Sequence, residues 1–161
     1  MNFAQNDSVV FETQNPQETQ KIASIFFETI AAEKKRRTGA LVISLEGDLG
    51  AGKTTFMQGF AKAAGVKESV QSPTFVIMKI YRLKRRTAPN TLIHIDAYRI
   101  DAKDLALLGW DEFIQNKNAI VCVEWGGRIK KILPPDTLHV HFQHEKKDHR
   151  SIEFTYAKKG K

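Results

Sequence analysis

Three glycines, a lysine and two threonines fall within nine residues, GDLGAGKTT at 47–55. Gly47, Gly52, Lys53 and Thr54 match the pattern G-x-x-x-x-G-K-[ST]. Glycines in such a loop let the backbone turn tightly and bring its N–H groups against phosphate oxygens. A helix that starts there adds unpaired donors and a partial positive charge. The Lys53 ammonium suits β- and γ-phosphate oxygens, and the Thr54 hydroxyl suits Mg2+. Gly47, Asp48, Leu49, Gly50, Ala51, Gly52, Lys53, Thr54 and Thr55 are therefore expected to hold a nucleotide such as ATP, with Thr55 near the α-phosphate.

A loop of this kind needs an acid beside the magnesium. Two apolar runs end in one: TLIHID at Asp96 and AIVCVE at Glu124. Both acids would stand at the carboxyl ends of strands, the side where open α/β sheets bind ligands.

The elements that must position these residues are legible from spacing. SVVFE at 8–12 reads as a short strand. A helix follows, with Asn15 as its cap, Pro16 at its first position and Glu18 completing a capping box. Ile22, Ile25, Phe26 and Ile30 fall on one face, and the helix should end near KKRR at 34–37, with Gly39 in a turn. LVISL at 41–45 is nearly all apolar, as a strand buried on both faces must be. The next helix is expected from Lys53 to Ala64, stopped by Gly65. Strands at 74–83 and 91–96 should pair as a hairpin, and Asp101 should cap a short helix ending at Gly109, with Leu105 and Leu108 inward. AIVCVE, 119–124, is another buried strand, and LHVHF at 138–142 and SIEFTY at 151–156 alternate as a half-exposed antiparallel pair. The order predicts an α/β, P-loop NTPase-like three-layer domain, with a mostly parallel central sheet and antiparallel strands added.

Length and composition agree. The 161 residues are expected to form one domain, 1–161, with 42% hydrophobic and 27% charged residues. No apolar run nears the roughly 20 residues that cross a bilayer, and the opening residues have no leader pattern, so no membrane role is expected. The single cysteine, Cys122, lies in a core strand and points to a reducing, cytoplasmic setting. A net charge of +7, concentrated at 34–37, 82–86 and 146–161, permits a nucleic-acid or acidic partner without proving one.

Four motifs in order, GDLGAGKTTF, SPTF at 72–75, HIDAYR at 94–99 and VEW at 123–125, give the chain a specific likeness. It resembles the TsaE (YjeE) family of small bacterial ATPases over about residues 17–135. The resemblance implies a P-loop ATPase, weak alone, that binds ATP and Mg2+. It would work with the TsaB and TsaD proteins to form N6-threonylcarbamoyladenosine at position 37 of tRNAs reading codons that start with A. Contact with tRNA would be indirect, through the basic segments. Thr54 and Glu124 would hold Mg2+, Asp96 would orient the attacking water, and Thr74 would sense the γ-phosphate from a switch-like loop. Catalytic roles thus fall to Lys53, Asp96 and Thr74, and Trp125 would lie against the nucleotide. Gly126 and Gly127 depart from the family, which commonly has proline or alanine and then an acid or glutamine; greater backbone freedom is expected there.

Arg99 is a candidate arginine finger within the chain; a partner could supply one instead. Two rival readings stay open. One is a small kinase, with RLKRR at 82–86 as its lid; the other is an RNA-binding module keeping the loop for structure. His139, His141, His144 and His149 crowd one stretch, where a metal site is the alternative to the preferred reading as exposed edge histidines, and His94 reads as a satisfied histidine within the sheet.

Overall fold

The computed structural model describes residues 8–33, 37–73, 75–85 and 89–156. Its elements run β1 (Val9–Thr13), α1 (Pro16–Ala32), β2 (Leu41–Glu46), α2 (Lys53–Ala63), β3 (Met78–Arg82), β4 (Thr91–Asp96), α3 (Ala102–Leu107), α4 (Trp110–Gln115), β5 (Ala119–Glu124), a 3-10 turn (Gly126–Ile129), β6 (Leu138–His144) and β7 (Arg150–Tyr156). The strands form one seven-stranded sheet in the order β1-β7-β6-β2-β5-β4-β3. The central ladder β6-β2-β5-β4 is parallel. β1 and β7 at one margin and β3 at the other add on antiparallel. The expected fold class stands.

Alternation along β2 assigns its residues to two layers. Leu41, Ile43 and Leu45 join Phe26 and Phe27 of α1 and Phe56 and Phe60 of α2 in one core. Val42 faces the other way, with Ile93, Ile95, Val121, Val123, Leu105 and Trp110. The first core is rich in rings: Phe26 touches Phe56, Phe60 and Phe154 at centroid distances of 6.1, 6.0 and 4.8 Å. α1 starts where its capping signal places it. The Asn15 side chain accepts from the Glu18 N–H at 2.9 Å, and Glu18 Oε2 accepts from the Gln14 N–H at 2.7 Å.

Four expectations are corrected. Ile25 is 48% exposed, because α1 buries Ala23, Phe26, Phe27 and Ile30, a stripe turned slightly off the one expected. The strand expected from 74 starts only at Met78: the Val76 and Ile77 N–H groups both bond back to the Pro73 carbonyl, closing a turn first. Leu108 is exposed, since the capped helix ends at Leu107 and a further helix, α4, starts at Trp110 and brings that ring inward instead. The histidine-bearing strand is no edge; β6 lies between β2 and β7. Among the described residues, no helix is long and apolar enough to cross a membrane.

Candidate functional site

β2 ends at Glu46, and residues 47–52 carry the chain over to α2. Gly52 stands at the N-cap of α2 with φ of +108°, a backbone conformation that favours glycine. Among the described residues, no side chain caps this helix. Its first-turn N–H groups therefore keep their capacity for an anion, and the helix dipole adds to it.

Beside that loop the parallel register sets Asp96, the last residue of β4, against Glu124, the last of β5. Both carboxylates are buried, at 4% and 2% exposure. Each is held. Asp96 Oδ1 accepts from the Tyr98 N–H at 2.8 Å, and Oδ2 accepts from the Ser72 hydroxyl at 2.9 Å. Glu124 Oε1 pairs with His94 Nε2 at 2.8 Å, and the Ser72 hydroxyl also reaches Oε2 at 3.5 Å. His94 is fully buried and two residues before Asp96, so both strands converge on the same carboxylate pair.

Lys53 opens α2 yet is only 5% exposed. Its ammonium donates to the Gly47 and Asp48 carbonyls at 2.6 and 2.9 Å and lies 4.0 Å from the centroid of the Trp125 ring. Burial pushes this group below the usual lysine range, and the charges of Glu124, Asp96 and Asp48 pull it back up. Trp125 can turn over the ammonium because its backbone is left-handed, with φ of +63°, just after Glu124. Its indole packs on Tyr98 at 5.1 Å.

These groups line a cavity of about 360 Å³ with Leu49, Gly50, Gly52, Thr54 and Thr55. Of the residues expected at the site, Asp48 and Gly47 contribute through their carbonyls, while Ala51 is buried beneath the loop. Leu49 is 92% exposed at the rim. Thr74 lies outside the described residues. Arg99 is not among the residues that line this cavity, and its guanidinium lies 5.4 Å from the centroid of Phe75. A wider groove, about 840 Å³, runs between α1 and α2 past Gln20, Ser24 and Gly59, and it holds none of the motif residues. Two site residues were missed from sequence: Ser72, which bridges the carboxylates, and Tyr98, which lines the cavity and holds Asp96 through its backbone N–H. Both lay inside motifs already singled out, SPTF and HIDAYR; the Ser72 hydroxyl was an available signal, whereas Tyr98 acts through a backbone N–H that residue type does not announce.

Fold and cleft together define a three-layer α/β protein in which a glycine-rich strand–helix turn, a buried lysine and two strand-terminal carboxylates face one cavity. Comparison with known proteins narrows the class. The profile described as "Threonylcarbamoyl adenosine biosynthesis protein TsaE" matches residues 13–152. A Bacillus subtilis (strain 168) protein named tRNA threonylcarbamoyladenosine biosynthesis protein TsaE is 39% identical over 145 residues, which is 90% of this chain and 84% of that one. A Haemophilus influenzae protein of the same name is 33% identical over 115 residues, 71% of this chain and 69% of its own. The crystal structure of Bacillus subtilis YdiB superposes with a TM-score of 0.73 at 34% identity, covering 94% of this chain and 87% of that one. The chain belongs to the TsaE family, whose work is tRNA threonylcarbamoyladenosine biosynthesis.

Proposed function

We propose that the protein is an ATP-binding, weakly ATP-hydrolysing member of the threonylcarbamoyladenosine machinery, driven by the TsaB and TsaD proteins and dependent on Mg2+. One observation carries this reading: Lys53, Asp96 and Glu124 meet at an uncapped helix N-terminus. In the mechanism this supports, Lys53 exchanges its two carbonyl partners for phosphate oxygens, and the N–H groups of α2 take the rest of the phosphate charge. Asp96, fixed on both oxygens, orients a water in line with the γ-phosphorus. Trp125 and Tyr98 line the cavity beside them.

The donors suit magnesium. The Thr54 hydroxyl and the Glu124 carboxylate are hard oxygens lining one cavity, and His94 leaves part of the carboxylate facing inward. When bound, the ion would neutralise charge developing on the phosphoryl oxygens. His94 meanwhile orients Glu124 from behind.

Weak solitary turnover follows if the stabilising arginine comes from a partner, since such a finger is worth roughly three to five orders of magnitude. The decisive experiment is ATP turnover with and without the TsaB–TsaD pair, for wild type and Glu124→Ala. The pair should accelerate the wild type, and the substitution should abolish the gain. Equal rates in all four samples reject the coupling. Calorimetry with magnesium nucleotide on wild type and Lys53→Ala separately checks binding; no heat from the wild type rejects the nucleotide site itself.

A further inference from the structure

We propose that Glu46, His139 and His141 form a second metal site, on the sheet face behind the glycine-rich loop, for a borderline divalent transition ion of the zinc class. The parallel register of β2 and β6 pairs Ser44 with His139 and Glu46 with His141. Because strand side chains alternate, all four project from one face, opposite Leu45, Leu138 and Val140 of the first core. The side chains on that face are partly exposed, with 25% of His139 and 26% of Glu46 accessible.

The donors already converge. One ligand atom from each of Glu46, His139 and His141 lies within 4.8 Å of the other two. Glu46 Oε1 and His139 Nδ1 stand 3.0 Å apart. Donors bound tetrahedrally to one zinc ion at about 2.0–2.2 Å lie about 3.3–3.6 Å from each other, so this hydrogen-bonded pair need open by only a few tenths of an ångström to admit the ion. The two imidazoles run nearly parallel, at 15° with centroids 6.1 Å apart, and a modest side-chain rotation brings His141 into range. The Ser44 hydroxyl donates to Glu46 Oε1 at 2.8 Å and orients the carboxylate from outside the donor set.

Donor chemistry separates this site from the one at Thr54 and Glu124. Two imidazoles and one carboxylate select zinc, cobalt or nickel, whereas magnesium prefers oxygens alone. Three protein donors leave at least one coordination position for water. Glu46 is also the residue before Gly47. An ion here ties the end of β2 to β6 and anchors the base of the loop that leads to Lys53.

The test uses the untagged full chain, stripped of metal and titrated with Co2+ while visible ligand-field absorption is followed, with Zn2+ added afterwards as competitor. One equivalent of Co2+ is expected to bind, Zn2+ to displace it, and excess Mg2+ to leave it in place. His139→Gln and His141→Gln should each weaken binding by at least about tenfold, the lower end of what loss of a mere outer-shell partner costs. The double variant His144→Gln/His149→Gln should bind as wild type. Circular dichroism of the metal-free variants controls for folding. No ligand-field band in a folded wild-type chain overturns the site, and so does a band that survives His141→Gln or vanishes with His144 and His149.

Discussion

Replacing Gly126 by alanine would place a methyl group 2.0 Å from Ser44 Oγ and 2.9 Å from Ser44 Cβ. Neither neighbour can yield easily. Ser44 is fully buried in the middle of β2, paired on both sides, and its hydroxyl already serves Glu46. Rotating the hydroxyl away breaks that bond and still leaves the clash with Cβ. The 3-10 turn must therefore lift from the sheet by more than about 1 Å to reach an ordinary carbon contact of about 3.5 Å. Overpacking of this kind costs about 1–3 kcal/mol, which for a chain of this length is a fall of about 2–12 °C in the unfolding midpoint. Urea denaturation of wild type, Gly126→Ala, Ser44→Gly and the double variant isolates the contact. Ser44→Gly destabilises on its own account, but in its presence the alanine should cost far less, giving a coupling of at least about 1 kcal/mol. A Gly126→Ala chain within about 0.5 kcal/mol of wild type, or strictly additive variants, would refute the close-approach reasoning.

Three further outcomes follow from other elements. Asn15→Ala removes the acceptor for the Glu18 N–H and should lower stability by about 1 kcal/mol, read from urea midpoints, with Asn15→Gly losing only a few tenths. Cys122 is 1% exposed, and burial together with the nearby Glu124 charge pushes its thiol up. A disulfide-exchange reagent should therefore leave it unmodified in the native chain and react fully in urea, and fast native labelling would contradict this placement. Asp101 accepts from the Lys103 and Asp104 N–H groups, which hold its carboxyl below the ordinary value of 3.8. A depressed folded value means that its stabilising contribution is complete above that ordinary value and is lost as pH falls through the lower folded one. Asp101→Asn keeps an accepting oxygen without titrating, so midpoints measured from pH 7 down to about pH 2 should fall less steeply than in wild type.

What was legible in the sequence was local. Strand-ending acids, the glycine pattern and the Asn15 cap each depend on residues a few positions apart, and all are where spacing put them. What failed was set at a distance. Alternation in LHVHF correctly made β6 half-exposed, but it carries no information on neighbours, and β6 inserts beside β2 to form a parallel pair nearly a hundred residues apart in sequence. That insertion sets His139 in hydrogen-bond contact with Glu46 and His141 beside it in register. Ile25 missed the core because helical spacing leaves the stripe free to rotate by a residue until α2 packs against it. Ser72 carried no periodic signal at all. Its role exists only because β4 and β5 end in register, so one hydroxyl can reach both carboxylates.

The two glycines after Trp125 have a physical consequence that reaches the cleft. Extra backbone freedom was expected of them, yet Gly126 is buried and its turn is seated on β2. The close approach has a consequence upstream. Trp125 must leave β5 in a left-handed conformation to meet that turn, and its N–H bonds to the Leu45 carbonyl at 2.9 Å. The indole is thereby swung onto the Lys53 ammonium, while Glu124, one residue earlier, stays in strand geometry with its carboxylate beside Asp96. A bulkier residue at 126 would act on Lys53 without touching it, by moving the ring that covers it. The lysine's direct contacts are two carbonyls and one aromatic face, all neutral, while the charges of Glu124, Asp96 and Asp48 act on it from nearby. Smallness at 126 therefore sets where Trp125 stands, and through it the aromatic face against which Lys53 is held.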